Sequence, residues 1–130
     1  MKNERLNEKI VDEFKDYDFS SIKERKVFLV GSNTKAKDYF MKIESLLQIK
    51  SNKLVSICSV DGLMHKNQFS PEEWEILQKI ALEKLKDQEA ILVLDVDGYI
   101  GDHTHEEIEY FGNYLKKPVY YLSKLHKLEK

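Results

Sequence analysis

Cysteine is almost absent from this sequence, since Cys58 is the single one in 130 residues. A lone cysteine excludes an internal disulfide bond and a cysteine-based zinc site. Proline occurs only twice and glycine only five times, and no low-complexity stretch has the composition of an interdomain linker. We therefore expect one α/β domain over residues 21–130, preceded by a helical extension over residues 1–20.

Long apolar runs are also missing, because no stretch approaches the roughly 20 residues that a membrane-spanning helix requires. The first ten residues are charged and contain no apolar segment of the kind found in secretory signals. The formal net charge is only −2, which argues against the basic surface of a general nucleic-acid binder. The four histidines do not form a metal set, and no cofactor is predicted. We expect a cytoplasmic protein that binds a small molecule, with neither a nucleic-acid polymer nor a membrane as partner.

Four short apolar runs are present and have the character of strands. They are nearly continuous rather than alternating, which is typical of strands covered on both faces of a sheet. Segments with helical spacing separate them, and this alternation predicts a parallel sheet of four to five strands. The expected architecture is a flavodoxin-like or Rossmann-like three-layer sandwich with an extra N-terminal helix. The predicted strands are Lys26–Gly31, Leu54–Ser59, Ala90–Asp95 and Pro118–Ser123.

Three amphipathic helices are predicted between the strands. The second has a strong start, because Ser70 can cap it and Glu73 can complete a capping box. The N-terminal helix, over Glu4–Lys15, is expected to pack on one face of the sheet or else to form part of a subunit contact. The residues Lys124–Lys130 are predicted to be a solvated tail. The stripes that define the three helices are Ala36, Tyr39, Phe40, Ile43, Leu46 and Leu47; Trp74, Leu77, Ala81 and Leu85; and Ile108, Phe111 and Leu115.

The order of the strands decides where a ligand would bind. In the order 2-1-3-4, the loops that leave the first and third strands face each other across a crevice at the topological switch point. Those loops are Gly31–Thr34, with the sequence GSNT, and Asp95–Asp102, with the sequence DVDGYIGD. We therefore expect a small-molecule site at this edge of the sheet.

The first loop is short and consists of small residues. Gly31, Ser32 and Asn33 would let a ligand approach the backbone, and the following helix would offer free N–H groups to an anion such as a phosphate. The loop matches neither the Walker motif nor GxGxxG. Alternatively, it is a plain turn in which Ser32, Asn33 or Thr34 caps the helix, a role that is compatible with ligand binding.

The second loop combines carboxylates with glycine. Its aspartates could share a proton, bind a cation or hold sugar hydroxyls, or could simply stabilise a turn. Tyr99 lies between Gly98 and Gly101, so its ring is expected to be exposed and available to stack on a base or sugar. The aspartates are Asp95, Asp97 and Asp102.

Thr104 and Glu107 have the spacing of a capping box at the start of the third helix. In that role Glu107 would merely close the helix start. Alternatively, Glu107 is a nucleophile, because a helix N-terminus favours the ionised carboxylate and would lower its pKa. An ionised carboxylate suits attack on an anomeric carbon.

The run Gly98–Ile108, GYIGDHTHEEI, resembles the GYIG-x-[ST]-T-x-x-E-I signature of small nucleoside 2-deoxyribosyltransferase-like proteins. In this chain His103 replaces the small residue before the threonine. Lys117–Leu122 is similar to that family's K-P-[VI]-x-Y-L strand, and Lys26–Ser32 is similar to its first strand and G-S loop. The resemblance thus extends from the first predicted strand to the last.

This resemblance implies a flavodoxin-like sheet and cleavage of the N-glycosidic bond of a (deoxy)nucleoside or its 5′-monophosphate. It implies that Glu107 attacks the anomeric carbon and forms a glycosyl-enzyme, which a second base or water then resolves. An aspartate, Asp95 or Asp102, would position the substrate or protonate the leaving base. Sugar or phosphate would be held by residues of both loops, namely Gly31, Ser32, Asn33, Gly98, Tyr99, Gly101 and Thr104.

Two other classes of function fit the same sequence. One is a non-catalytic module that binds or senses a nucleotide, in which Glu107 holds a ribose hydroxyl or only caps its helix. The other is an interaction protein that assembles through its N-terminal helix. Family members usually form oligomers, and Leu6, Ile10 and Phe14 offer apolar contacts, so a homo-oligomer is predicted.

Overall fold

The computed structural model describes residues 8–32, 36–57 and 68–127. Within these ranges the chain forms an α/β sandwich around a four-stranded, all-parallel sheet. The strand order is β2-β1-β3-β4, which confirms the predicted switch point between the first and third strands. The strands are β1 (Lys26–Gly31), β2 (Leu54–Ile57), β3 (Ala90–Leu94) and β4 (Val119–Tyr121).

The described ranges contain four α-helices, and the last of them continues into a π-helical turn over Tyr110–Tyr114. Short 3-10 turns follow α1, β3 and β4, at Phe19–Ser21, Val96–Gly98 and Leu122–Leu125. None of the helices in these ranges has the length and apolar character needed to cross a bilayer. The helices are α1 (Glu8–Glu13), α2 (Lys37–Ser51), α3 (Pro71–Leu85) and α4 (Asp102–Glu109).

Both faces of the central strands β1 and β3 are buried, which explains why their sequences are continuously apolar, whereas β2 and β4 are only half-buried. Successive side chains of a strand point to opposite faces. Val27 and Leu29 of β1 therefore join one apolar cluster with α2, whereas Phe28 and Val30 join a second cluster with α3 and α4. Every residue of β3 is buried. The central pair of strands thus forms the core of the domain.

The described N-terminal segment packs on the face of the sheet that α2 covers. Phe14 is 3% exposed and belongs to the same apolar cluster as residues of α2. The N-terminal segment therefore packs on its own sheet, which is the first of the two predicted alternatives. A buried Phe14 does not offer an exposed subunit contact, and Leu6 lies outside the described residues. The remaining member of the predicted contact, Ile10, is partly buried against the same cluster.

The C-terminal segment is ordered against this N-terminal segment, so the prediction of a solvated tail from Lys124 is wrong as far as Lys127. The Asp18 N–H donates to the Leu125 carbonyl at 2.7 Å, and the Lys127 N–H donates to the Asp16 carbonyl at 2.6 Å. Leu125 is itself buried in the apolar cluster. This part of the tail is held because the Leu125 side chain packs in that cluster.

Helix α3 starts as predicted, but its apolar stripe is buried only in its second half. Ser70 accepts a hydrogen bond from the Glu73 N–H, and the Glu73 carboxylate accepts one from the Ser70 N–H. Ala81 and Leu85 are buried, whereas Trp74 and Leu77 are half-buried. Fifteen helical residues span about 22 Å and five strand residues about 17 Å, so the first turns of α3 extend past the sheet. There, Trp74 packs on Phe69 with ring centroids 5.4 Å apart.

Replacing Phe14 by alanine tests whether the N-terminal segment is part of the core. We expect Phe14→Ala to lower the free energy of unfolding by about 3 kcal/mol, because the ring is buried among core side chains. Val11→Ala is the matched control on the same segment, since Val11 is 37% exposed, and its effect should stay within about 0.5 kcal/mol. Urea unfolding measures both values. Equal effects of the two variants would contradict the assignment of Phe14 to the core.

Candidate functional site

The loops after β1 and β3 leave the sheet side by side. Gly31, the last residue of β1, is the register partner of Leu94, the last residue of β3. Ser32 and Asp95 therefore begin adjacent loops at the carboxyl edge of the two central strands. This is the crevice that the strand order predicts as a ligand site.

Gly31 is required at this edge by packing. A Cβ atom there would lie 3.2 Å from both the Cβ and the carbonyl oxygen of Leu94, and 3.3 Å from the Cβ of Ala36. These neighbouring atoms lie on or next to the backbone and cannot easily move. The glycine thus lets β1, β3 and the start of α2 approach one another closely.

The predicted helix cap in the first loop is wrong. Helix α2 begins at Lys37, its N-cap residue is Ala36, and the cap makes no side-chain hydrogen bond. The Ala36 N–H donates to the Ser32 carbonyl at 3.0 Å. The predicted site residue Asn33 lies outside the described residues, as does Thr34.

The second loop makes a tight turn before α4. Asp97 and Gly98 have φ angles of 56° and 75°, in the left-handed region that suits glycine and that aspartate tolerates. Tyr99 is 47% exposed, as predicted, and its hydroxyl lies 3.8 Å from the position that a Cβ of Gly101 would take. The tyrosine ring therefore lies over the glycine that precedes α4.

Helix α4 starts earlier than the capping-box pattern predicted. Its N-cap residue is Gly101, and the His105 N–H makes the first helical hydrogen bond, to the Gly101 carbonyl at 2.9 Å. Thr104 therefore lies inside the first turn, where it is 3% exposed and caps nothing. The T-x-x-E spacing is real, but it places Thr104 and Glu107 on one buried face of the helix.

Glu107 is a buried carboxyl group. It is 5% exposed, on the face of α4 that carries Thr104 and that leads to Phe111 in the π-helical turn. Helix α4 contacts β1, and Phe111 packs in one cluster with Phe28 and Val30 of that strand. No hydrogen bond or ion pair joins the Glu107 carboxyl to another residue of the described ranges.

Burial controls the protonation state of Glu107. Its pKa is raised from 4.5 to about 8. Loss of hydration is the larger cause, and the negative charge of Glu106 is the smaller one. The prediction of a lowered pKa is therefore wrong. The helix N-terminus acts mainly within the first turn, and Glu107 is the sixth residue of α4. At pH 7 the neutral acid therefore predominates.

Gln78 links α3 to the start of α4, and sequence analysis missed it. Its side-chain amide donates to the His103 carbonyl at 3.2 Å and to the Glu106 carboxylate at 3.0 Å. These bonds hold the first two turns of α4, including the charge that lies next to Glu107. Nothing in the local sequence signals this role, because both partners are 25 or more residues away.

The two predicted catalytic aspartates have different surroundings. Asp95 follows β3 directly, and its two carboxylate oxygens accept hydrogen bonds from the backbone N–H and the hydroxyl of Ser123, at 2.9 and 2.6 Å. Asp102 is the first residue of α4 and is exposed. It lies five residues before Glu107, about 140° away around the helix axis, so the two carboxyls point in different directions.

The structure thus gathers most of the predicted site residues at one edge of the sheet. Ser32 and Asp95 leave neighbouring strands, and Gly98, Tyr99 and Gly101 form the turn that leads into α4. The buried pair Thr104 and Glu107 belongs to the helix that follows this turn. Comparisons with known proteins add no relative: no protein-family model matches this chain, and no curated protein or solved structure matches it significantly.

The pH dependence of stability tests the burial of Glu107. When folding raises the pKa of an acid, the contribution of that acid to stability is fully present below the pKa of the unfolded state. This contribution is lost as the pH rises through the pKa of the folded state. We expect the free energy of unfolding to fall between about pH 4.5 and pH 8, by on the order of 1 kcal/mol per pH unit. Urea unfolding at pH 5, 6.5 and 8 measures this slope.

Two variants separate Glu107 from the other carboxyls. Glu107→Gln should flatten the slope and make the protein more stable than the wild type at pH 8, because no buried acid is left to ionise. Glu109→Gln, an exposed position of the same helix, should keep the wild-type slope. If both variants retain the slope, Glu107 is not the group responsible.

Proposed function

We propose that this protein binds a nucleoside or nucleoside 5′-monophosphate at the switch point and cleaves its N-glycosidic bond with Glu107. The observation that carries the proposal is the Glu107 side chain, which is only 5% exposed and whose pKa is raised to about 8, mainly by loss of hydration. Burying such a group destabilises a protein unless something binds it. A polar ligand in the adjacent crevice would provide that partner.

The reaction would proceed in two substitutions at the anomeric carbon. An oxygen of Glu107 forms a bond to C1′ while the bond from C1′ to the base nitrogen breaks, and the departing base gains a proton. Water or a second base then attacks C1′ and releases the carboxylate. The first route is hydrolysis and the second is deoxyribosyl transfer.

The raised pKa is compatible with this chemistry and makes it dependent on pH. A carboxylate with a pKa near 8 is more basic than an ordinary one, and it is poorly solvated, so its ionised form is a stronger nucleophile. At pH 7 the ionised form is the minor one. The attacking species would therefore become more abundant up to about pH 8.

The other predicted residues fit supporting roles around Glu107. Thr104 brings a buried hydroxyl to the same face of α4, where a sugar hydroxyl would meet it. The exposed ring of Tyr99 offers a surface on which a base can stack. Asp102 points away from Glu107 around the helix axis, and Asp95 is held by Ser123, so the proton for the leaving base would come from solvent.

A second function is favoured by the same pKa. A neutral Glu107 can donate a hydrogen bond as well as accept one, and a ribose hydroxyl is a suitable partner. In that case the protein is a non-catalytic module that binds a nucleotide. Binding would then be strongest below about pH 8, where Glu107 keeps its proton.

Release of free base tests the proposed reaction. The protein is incubated with a panel of deoxynucleosides, ribonucleosides and their 5′-monophosphates, and free base is measured by chromatography. We expect turnover by the wild type, and a loss of at least about 100-fold in Glu107→Gln and Glu107→Ala, because the nucleophile is removed. Glu109→Gln should keep wild-type turnover. In the wild type, kcat/KM should rise with pH and level off above about pH 8.

Calorimetry with the same panel decides between the two functions. Binding without release of base, weakened by Glu107→Ala, would support the non-catalytic module. Base release that is equal in the wild type and in Glu107→Ala would remove Glu107 from the reaction. If no member of the panel is bound or cleaved, both functions are overturned for these ligands.

A further inference from the structure

Asp95 connects three parts of the fold at the edge of the sheet. It follows the last residue of β3, and its backbone carbonyl accepts a hydrogen bond from the Gly98 N–H at 3.0 Å. Its carboxylate accepts two hydrogen bonds from Ser123, one from the backbone N–H at 2.9 Å and one from the hydroxyl at 2.6 Å. Asp95 therefore links the turn that leads to α4 with the segment that leaves β4.

Ser123 lies in a turn that is held by buried side chains. It lies in the 3-10 turn Leu122–Leu125, whose two leucines are 3% and 7% exposed in the cluster of Phe14 and Phe19. The Leu125 carbonyl accepts the Asp18 N–H, so the N-terminal segment holds this turn from the other side. The hydroxyl that reaches Asp95 is thus fixed by both ends of the chain.

The turn after Asp95 needs such support. Asp97 and Gly98 both have positive φ angles, and the N-cap of this 3-10 turn makes no side-chain hydrogen bond of its own. Within the turn, the Tyr99 N–H donates to the Val96 carbonyl at 3.0 Å, and this bond spans only three residues. The bonds to Ser123 add a contact from outside the turn to the loop that carries Tyr99 and Gly101.

We propose that Asp95 and Ser123 form a positioning pair, which fixes the Asp95–Gly101 loop and thereby the entrance to the Glu107 site. The role of the pair in ligand binding rests on the proposed function, whereas its role in holding the loop does not. Because both carboxylate oxygens already accept hydrogen bonds, Asp95 acts through the loop and does not itself move a proton. The N- and C-terminal segments thus shape a site that lies outside them.

The test compares the ligand-free protein with Ser123→Ala and Ser123→Thr by two-dimensional ¹H–¹⁵N NMR. Glycine amides are well suited to this, because the chain contains only five glycines, two of which are Gly98 and Gly101. In Ser123→Ala, we expect both signals to shift and the Gly98 and Tyr99 amides to exchange with deuterium several-fold faster. Ser123→Thr keeps the hydroxyl and should restore the wild-type signals.

Glu89→Gln is the matched control at the opposite end of β3. The Glu89 carboxylate also accepts two hydrogen bonds, from the Arg25 and Lys26 N–H groups, both at 3.0 Å. It lies at the amino end of the strand, so its loss should leave the Gly98 and Gly101 signals unchanged. Unchanged loop signals in Ser123→Ala, or equal changes in Glu89→Gln, would overturn the positioning role.

Measurements of ligand binding test whether the pair also affects the site. For a ligand that the wild type binds, Ser123→Ala should raise Kd several-fold and Ser123→Thr should return it to the wild-type value. A ligand bound equally by all three proteins would show that the pair does not shape the site. If the loop signals respond as expected and no nucleoside or nucleotide binds the wild type, the positioning role holds and the proposed function fails.

Discussion

The parallel pairing of β1 with β3 determines the organisation of this molecule. Because Gly31 and Leu94 are partners at the carboxyl end of this pair, the loops that follow them must leave the sheet together. The pair is buried on both faces, so helices must cover each side of the sheet. Because the strands are parallel, each helix leads the chain from the carboxyl edge back to the amino edge. Close approach at this edge depends on Gly31, whose missing side chain leaves room for Leu94 and Ala36.

The most unusual group at this edge is Glu107, and two opposing effects act on it. A helix N-terminus stabilises a negative charge by about 0.3–1 kcal/mol, and mainly in the first turn. The rise of the Glu107 pKa from 4.5 to about 8 corresponds to on the order of 5 kcal/mol in favour of the neutral acid. Burial therefore dominates over the helix dipole. A carboxyl group kept neutral in this way suits either a ligand hydroxyl or a reaction that is fastest at alkaline pH.

The ends of the chain take part in the same architecture. Helix α2 covers only part of its face of the sheet, and the remainder is filled by Phe14, Phe19 and the two leucines of the turn Leu122–Leu125. Hydrogen bonds between the two terminal segments join them into one layer. Through Ser123 this layer reaches Asp95, so packing on one face of the sheet is connected to the loop at its edge.

The positions of the strands and the capped start of α3 after Ser70 could be predicted from the sequence, because each depends on residues that are neighbours in the chain. The parallel direction of the strands follows from their alternation with helices. The exposure of Tyr99 between two glycines is of the same kind. The start of α4, the protonation of Glu107 and the bonds made by Gln78 and Asp95 could not be predicted. A T-x-x-E spacing places two side chains on one face of a helix, but only packing decides whether that face meets water or the sheet. Desolvation and hydrogen bonds between distant elements arise from tertiary structure, and these two forces decide the chemistry of the candidate site.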